Sequence, residues 1–203
     1  MLFWNKRFNN EVYELIIPYK GEKLFGYFQK PDRIILMQYY TLKFNDDMES
    51  KEFLFNACKI EEGVDKRILD IDFLYASVIF NIHNLIEKNT SEMTDNKELF
   101  NTDNIYYDKI KDLENIYQLT IIHNGESYFA YFKKPNRDII KKFYNYATQD
   151  IMTANNFIYT KCKLFIDPKI ESIDDLYILS IQKAGDMMEF YTSEIKKKFL
   201  TIK

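Results

Sequence analysis

Residues 12–33 read VYELIIPYKGEKLFGYFQKPDR, and residues 116–137 read IYQLTIIHNGESYFAYFKKPNR. Tyr13, Leu15 and Ile17 alternate with other residues, the period-two pattern of a half-buried strand. Lys20-Gly21-Glu22 follows as a turn in which Gly21 can take a positive φ. Phe25 and Tyr27 alternate in the return strand, with Phe28 on the opposite face. The second stretch repeats this as Tyr117–Ile121, Asn124-Gly125-Glu126 and Phe129–Phe132, and Asn-Gly is among the strongest short hairpin signals. Both stretches predict a β-hairpin.

The likeness extends beyond the hairpins. Laying Val12–Ile60 over Ile116–Leu164 needs no gap, and 18 of the 49 aligned positions are identical. The identities include Lys30/Lys134, Pro31/Pro135, Arg33/Arg137, Tyr40/Tyr144, Phe53/Phe157 and Cys58/Cys162. Past residue 60 the match weakens and needs a shift of about two residues.

Each proline stops its strand, and Asp32 or Asn136 is then a good N-cap. Ile139, Ile140, Phe143, Tyr144 and Ala147 share one helix face. Ile35, Leu36, Tyr39 and Tyr40 do so in the first copy. A short second helix is expected over Phe53–Ile60 and Phe157–Leu164, with Gly63 and Pro168 as the breaks that follow. A third helix is expected from the stripe Ile71, Leu74, Tyr75, Val78, Ile79, Ile82, Leu85 and Ile86. Asp70, Asp72, Asp174 and Asp175 complement the helix dipole at the helix starts.

The predicted class is α+β: two tandem units of a β-hairpin plus three helices (ββααα). Residues 1–88 form the first unit, 89–112 a polar linker and 113–203 the second unit. Leu99, Phe100, Ile105, Tyr106 and Tyr107 can dock the linker, and the tail Ser193–Lys203 continues the last helix. Units of about 80 residues sustain only a modest core, so the copies are expected to pack on each other or on a partner.

Composition narrows the function. Twenty-eight basic against 31 acidic residues give a net charge of −3, which argues against a nucleic-acid partner. The N-terminus lacks the basic-then-apolar order of a secretory signal, and the longest apolar run, near Phe73–Phe80, is too short to span a bilayer. A reducing cytoplasm is the expected setting, and Asn89-Thr90-Ser91 reads as a chance glycosylation match.

Candidate chemistry is sparse. His83 and His123 come with no recognisable nucleophile or carboxylate motif. Cys58 and Cys162 sit at equivalent apolar positions and read as small buried hydrophobes. Asp70-Ile71-Asp72 lacks the ligand spacing and the glycine of a calcium loop. No cofactor, metal or small-molecule substrate is expected, nor an enzymatic activity. Lys133, Lys134, Arg137, Lys141 and Lys142 cluster at the second-copy helix, a solvated face or a seat for an acidic protein. The 17 Phe, 16 Tyr and single Trp, among them Phe3, Trp4 and Phe8, favour a protein that meets other proteins. Lys30, Arg33, Tyr40, Lys134, Arg137 and Tyr144 are the candidate interface residues.

The unit resembles small bacteriophage proteins of the tail-assembly-chaperone type. The resemblance is carried by Val12-Tyr13-Glu14-Leu15, Gly21-Glu22, Phe28-Gln29-Lys30-Pro31-Asp32-Arg33, Asn56-Ala57-Cys58, Gly63-Val64-Asp65 and the stripe from Ile71. The second copy repeats the hairpin and Phe132-Lys133-Lys134-Pro135-Asn136-Arg137 but lacks the glycine loop. The resemblance implies a non-enzymatic phage morphogenesis or virion-associated protein. Its expected partners are other phage structural or tail proteins, met in the host cytoplasm during synthesis or within the particle, where oligomers can form. An intracellular adaptor or inhibitor of a host protein is the second reading.

Overall fold

The computed structural model describes residues 11–86 and 89–188. Phe3, Trp4, Phe8 and the tail Ser193–Lys203 lie outside the described residues. Strands β1 (Val12–Tyr19) and β2 (Glu22–Gln29) pair antiparallel from Val12↔Gln29 to Tyr19↔Glu22. Strands β5 (Ile116–His123) and β6 (Glu126–Lys133) pair in the same register, from Ile116↔Lys133 to His123↔Glu126. Lys20 and Gly21 have φ of 49° and 85°, and Asn124 and Gly125 of 52° and 81°. Two consecutive positive φ values match the right-handed twist of the flanking strands, which is what closes a two-residue hairpin.

The caps stand where Pro-Asp-Arg and Pro-Asn-Arg place them. Asp32 accepts from Ile35 N–H at 2.9 Å to open α1 (Arg33–Asn45), and Asn136 accepts from Ile139 N–H at 3.0 Å to open α6 (Arg137–Ala147). The next helices start earlier than expected. Asp46 caps α2 (Asp47–Cys58) and Asp150 caps α7 (Ile151–Cys162), each accepting from two backbone N–H groups.

The ββααα order is corrected at two places. After each cysteine the chain leaves the helix for a strand, β3 (Lys59–Val64) or β7 (Lys163–Ile166), which pairs antiparallel with β2 or β6. An open sheet edge satisfies backbone groups that a longer helix would leave at its frayed end. The third helix is two pieces, α3 (Lys66–Asp70) and α4 (Asp72–Asn81) in the first half, α8 (Pro168–Ser172) and α9 (Asp174–Asp186) in the second. Asp70 therefore ends α3 rather than opening a helix, and Pro168 occupies the first turn of α8, where its missing N–H costs nothing. The stripe beyond Asn81 tightens into a 3-10 turn, Ile82–Leu85. The order ββααβαα occurs in both halves, and the two-residue shift falls in the third strand, six residues long in β3 and four in β7.

The result is an α+β fold with a three-stranded sheet, β1-β2-β3, and a four-stranded sheet. The extra strand comes from the stretch expected as a linker. There β4 (Thr90–Thr94) pairs antiparallel with β5, giving the order β4-β5-β6-β7. The same stretch carries α5 (Tyr107–Ile110). Phe100 and Ile110 bury with Ile116, Phe129 and Tyr131 on the outer face of the second sheet. Gln118 fastens this cover: its Oε1 accepts from Asn101 N–H at 3.0 Å and Tyr131 O–H at 3.1 Å. On the first sheet the corresponding face carries exposed Val12, Ile16 and Phe25.

Each half has a core between its sheet and its helices. Leu24, Phe28, Tyr39, Leu54 and Phe55 are buried in the first, and Leu119, Phe132, Ile158, Leu176 and Ile181 in the second. The two are joined through α1, which packs on both α7 and α9. Tyr39 points into the first core, whereas Leu36, also fully buried, belongs to the second. Tyr40 and Ile86 touch both. No described helix is long and apolar enough to cross a membrane.

Candidate interaction surface

The candidate interface residues Lys30, Arg33 and Tyr40 are turned inward against the second half. Arg33 opens α1, and Asp174 opens α9. Arg33 donates to Asp174 twice, from N–H to Oδ2 at 3.1 Å and from Nε to Oδ1 at 3.0 Å. Its Nη2 donates to the Glu171 carbonyl at 2.7 Å, and its guanidinium lies 3.8 Å from the centroid of the Tyr177 ring. A planar cation that stacks and bonds in one plane suits this use, which lysine does not reproduce.

Lys30 Nζ stands 3.2 Å from Asp175 Oδ2 and 3.3 Å from Glu11 Oε2. The Asp175 side chain is only 2% exposed, so this is a buried ion pair, closed on one side by the exposed Glu11. Tyr40 is half-buried, with Gln182 beside its hydroxyl. Burial, with Tyr39 and Asp175 nearby, pushes its hydroxyl up to about 12. Thr41 Oγ1 donates to Asp150 Oδ1 at 3.3 Å, which extends the seam along α1.

The sequence carried a signal for this. Helix α1 is apolar almost all round, through Ile34, Ile35, Leu36, Met37, Tyr39, Tyr40 and Leu42. A helix with apolar residues on more than one face is covered on more than one face. Asp174 and Asp175, read as dipole partners, do lie in the first turn of α9, but they also receive Arg33 and Lys30.

The second-copy residues are placed differently. Lys134, Arg137 and Tyr144 are all exposed, as are Lys133, Lys141 and Lys142. Tyr144 retains 56% of its surface. Helix α6 is amphipathic in the ordinary sense: Phe143 is buried, while Lys141 and Lys142 replace Met37 and Gln38 of α1. The six candidates therefore separate into an internal clamp and an outward basic-aromatic face.

His83 Nδ1 lies 3.0 Å from the Phe80 carbonyl, and His123 Nδ1 lies 2.8 Å from Asn89 Oδ1. Among the described residues no group of three or more His, Cys, Asp or Glu is placed to hold a metal ion. A cleft of about 240 Å³ opens at the seam beside Tyr40, Lys43, His83 and Asp175, and no cysteine or serine lines it.

Cys58 and Cys162 are buried at the ends of α2 and α7. Burial pushes their thiols up to about 12 and about 11, with Asp32 adding to the first and Lys133 opposing the second. The thiolate is the reactive form, so both should stay inert to a thiol reagent at pH 8 in the folded protein and react at once in denaturant. Rapid labelling of either without denaturant would contradict the burial. No family model, curated protein or solved structure matches the chain.

Proposed function

We propose that this chain is a non-enzymatic binding protein of two duplicated units, serving in bacteriophage morphogenesis or as a virion-associated component. One observation carries the binding reading. The Lys-Pro-x-Arg and tyrosine set that clamps an acidic helix start inside the chain recurs at residues 134–144 on an exposed face. Arginine and tyrosine are the residues that most often dominate an interface, and an acidic helix N-terminus is the feature that the first copy already grips. The same element order in both halves and the 18 shared residues support duplication as the source of the two sets. The phage setting rests on the resemblance of the repeated motifs.

The test is affinity capture from phage-infected cells, with the wild-type chain and the Arg137→Glu/Tyr144→Ala variant as baits. Both should fold alike, and the variant should lose its phage structural partner by tenfold or more. Equal capture by both baits would remove α6 from the binding role. Recovery of a host enzyme in place of a particle protein would move the setting to a host-directed adaptor.

A further inference from the structure

We infer that copies of this chain join head to tail, the α6 face of one docking on the α4 face of the next. The inference rests on the binding role of α6 and names its partner. The internal seam is the template. There, α1 of the first unit lies on a helical stripe of the second: Asp175, Ile178, Leu179 and Gln182 on α9. These stand at i, i+3, i+4 and i+7, one face of a helix.

The two-residue shift maps that stripe onto Phe73, Ala76, Ser77 and Phe80 of α4. All four are exposed, Phe73 to 61% and Phe80 to 67%. Seam contacts made once inside the chain thus leave their other two halves at the surface. The α6 face lies on the second unit and the α4 face on the first. An interface between unlike surfaces does not close on itself in a pair, so it propagates into a ring or a filament.

Charge selects a second copy as the occupant. Arg33 holds Asp174 and stacks on Tyr177, and the matching residues are Arg137, Asp72 and Tyr75. Met37 and Asn156 line one cleft of the internal seam, and their counterparts are Lys141 and Glu52, an opposite-charge pair. The Thr41–Asp150 contact becomes Asn145 facing Asp46. Basic Lys141 and Lys142 on α6 would thus approach acidic Asp46 and Glu49, all of them exposed. The buried Lys30–Asp175 pair is not repeated, because Phe73 stands at the Asp175 station and offers Lys134 and Tyr144 an aromatic contact instead.

Sedimentation velocity on the full chain tests this. The wild type should form a concentration-dependent series of oligomers that shrinks as salt is raised. Arg137→Glu and Asp72→Lys should each sediment as monomers. Their equimolar mixture should assemble again, since the intact α6 face of Asp72→Lys meets the intact α4 face of Arg137→Glu and the two reversed charges attract each other. Circular dichroism should show both variants folded. A wild type that stays monomeric up to roughly 100 μM would overturn head-to-tail assembly. In that case, capture of another protein that Arg137→Glu abolishes would leave the binding role of α6 standing. Variants that assemble as the wild type does would also overturn the inference.

Discussion

Lys30→Met is expected to destabilise the folded chain by about 3 kcal/mol, whereas Lys134→Met at the matching position should stay within about 0.5 kcal/mol of wild type. The Asp175 carboxylate is 2% exposed, with Lys30 Nζ 3.2 Å away. Removing the amine leaves a desolvated charge, and that penalty, not the net worth of the pair, dominates the loss. Lys134 is exposed, so a change there costs little. The double variant Lys30→Met/Asp175→Leu should recover most of the stability, because a well-packed apolar pair often replaces a buried ion pair without loss. Urea midpoints at unchanged slope measure all three. Equal midpoints for Lys30→Met and Lys134→Met would show that the seam does not bury this pair.

Leu36→Ala should cost about 2–5 kcal/mol, while Ile140→Ala at the equivalent position should cost about 1 kcal/mol. Leu36 is fully buried among residues of the second half, whereas Ile140 is half-buried on α6. The cavity that Leu36→Ala opens lies against α9, although the substitution is in the first unit. Hydrogen exchange should therefore show faster amide exchange in α9, between Asp174 and Asp186, than in the wild type. Unchanged protection in α9, with loss confined to the first unit, would mean that the two cores do not share α1.

Both results concern the seam between the halves, and α1 marks where local pattern stopped being informative. The apolar stripe through Ile35, Leu36, Tyr39 and Tyr40 predicts a helix with one inner face. It does not say that Tyr39 and Leu36 enter different cores, since that depends on what packs at each side. The third strand was missed for a related reason. Residues 53–60 are apolar enough for a helix end or a strand, and the exposed edge of β2 decides for the strand at Lys59. The stretch 89–112 is polar enough for a linker, yet Phe100, Ile110 and the pairing of β4 with β5 draw it into the second sheet.

What residues near each other in the chain decide was legible in the sequence alone. Lys20-Gly21 and Asn124-Gly125 set both hairpins, Asp32 and Asn136 set the starts of α1 and α6, and the offset of 104 set the repeated plan. The hairpins and caps are matters of backbone torsions and hydrogen bonds within a few residues, and the repeat only writes them twice. Only the tertiary structure divided six like residues into a clamp and an exposed face. Lys30 and Arg33 meet carboxylates 145 and 141 positions further along, whereas Lys134 and Arg137 remain exposed on the surface of the second half. The two sets have the same residue types at the same spacing, so the difference between them lies in what folds against them.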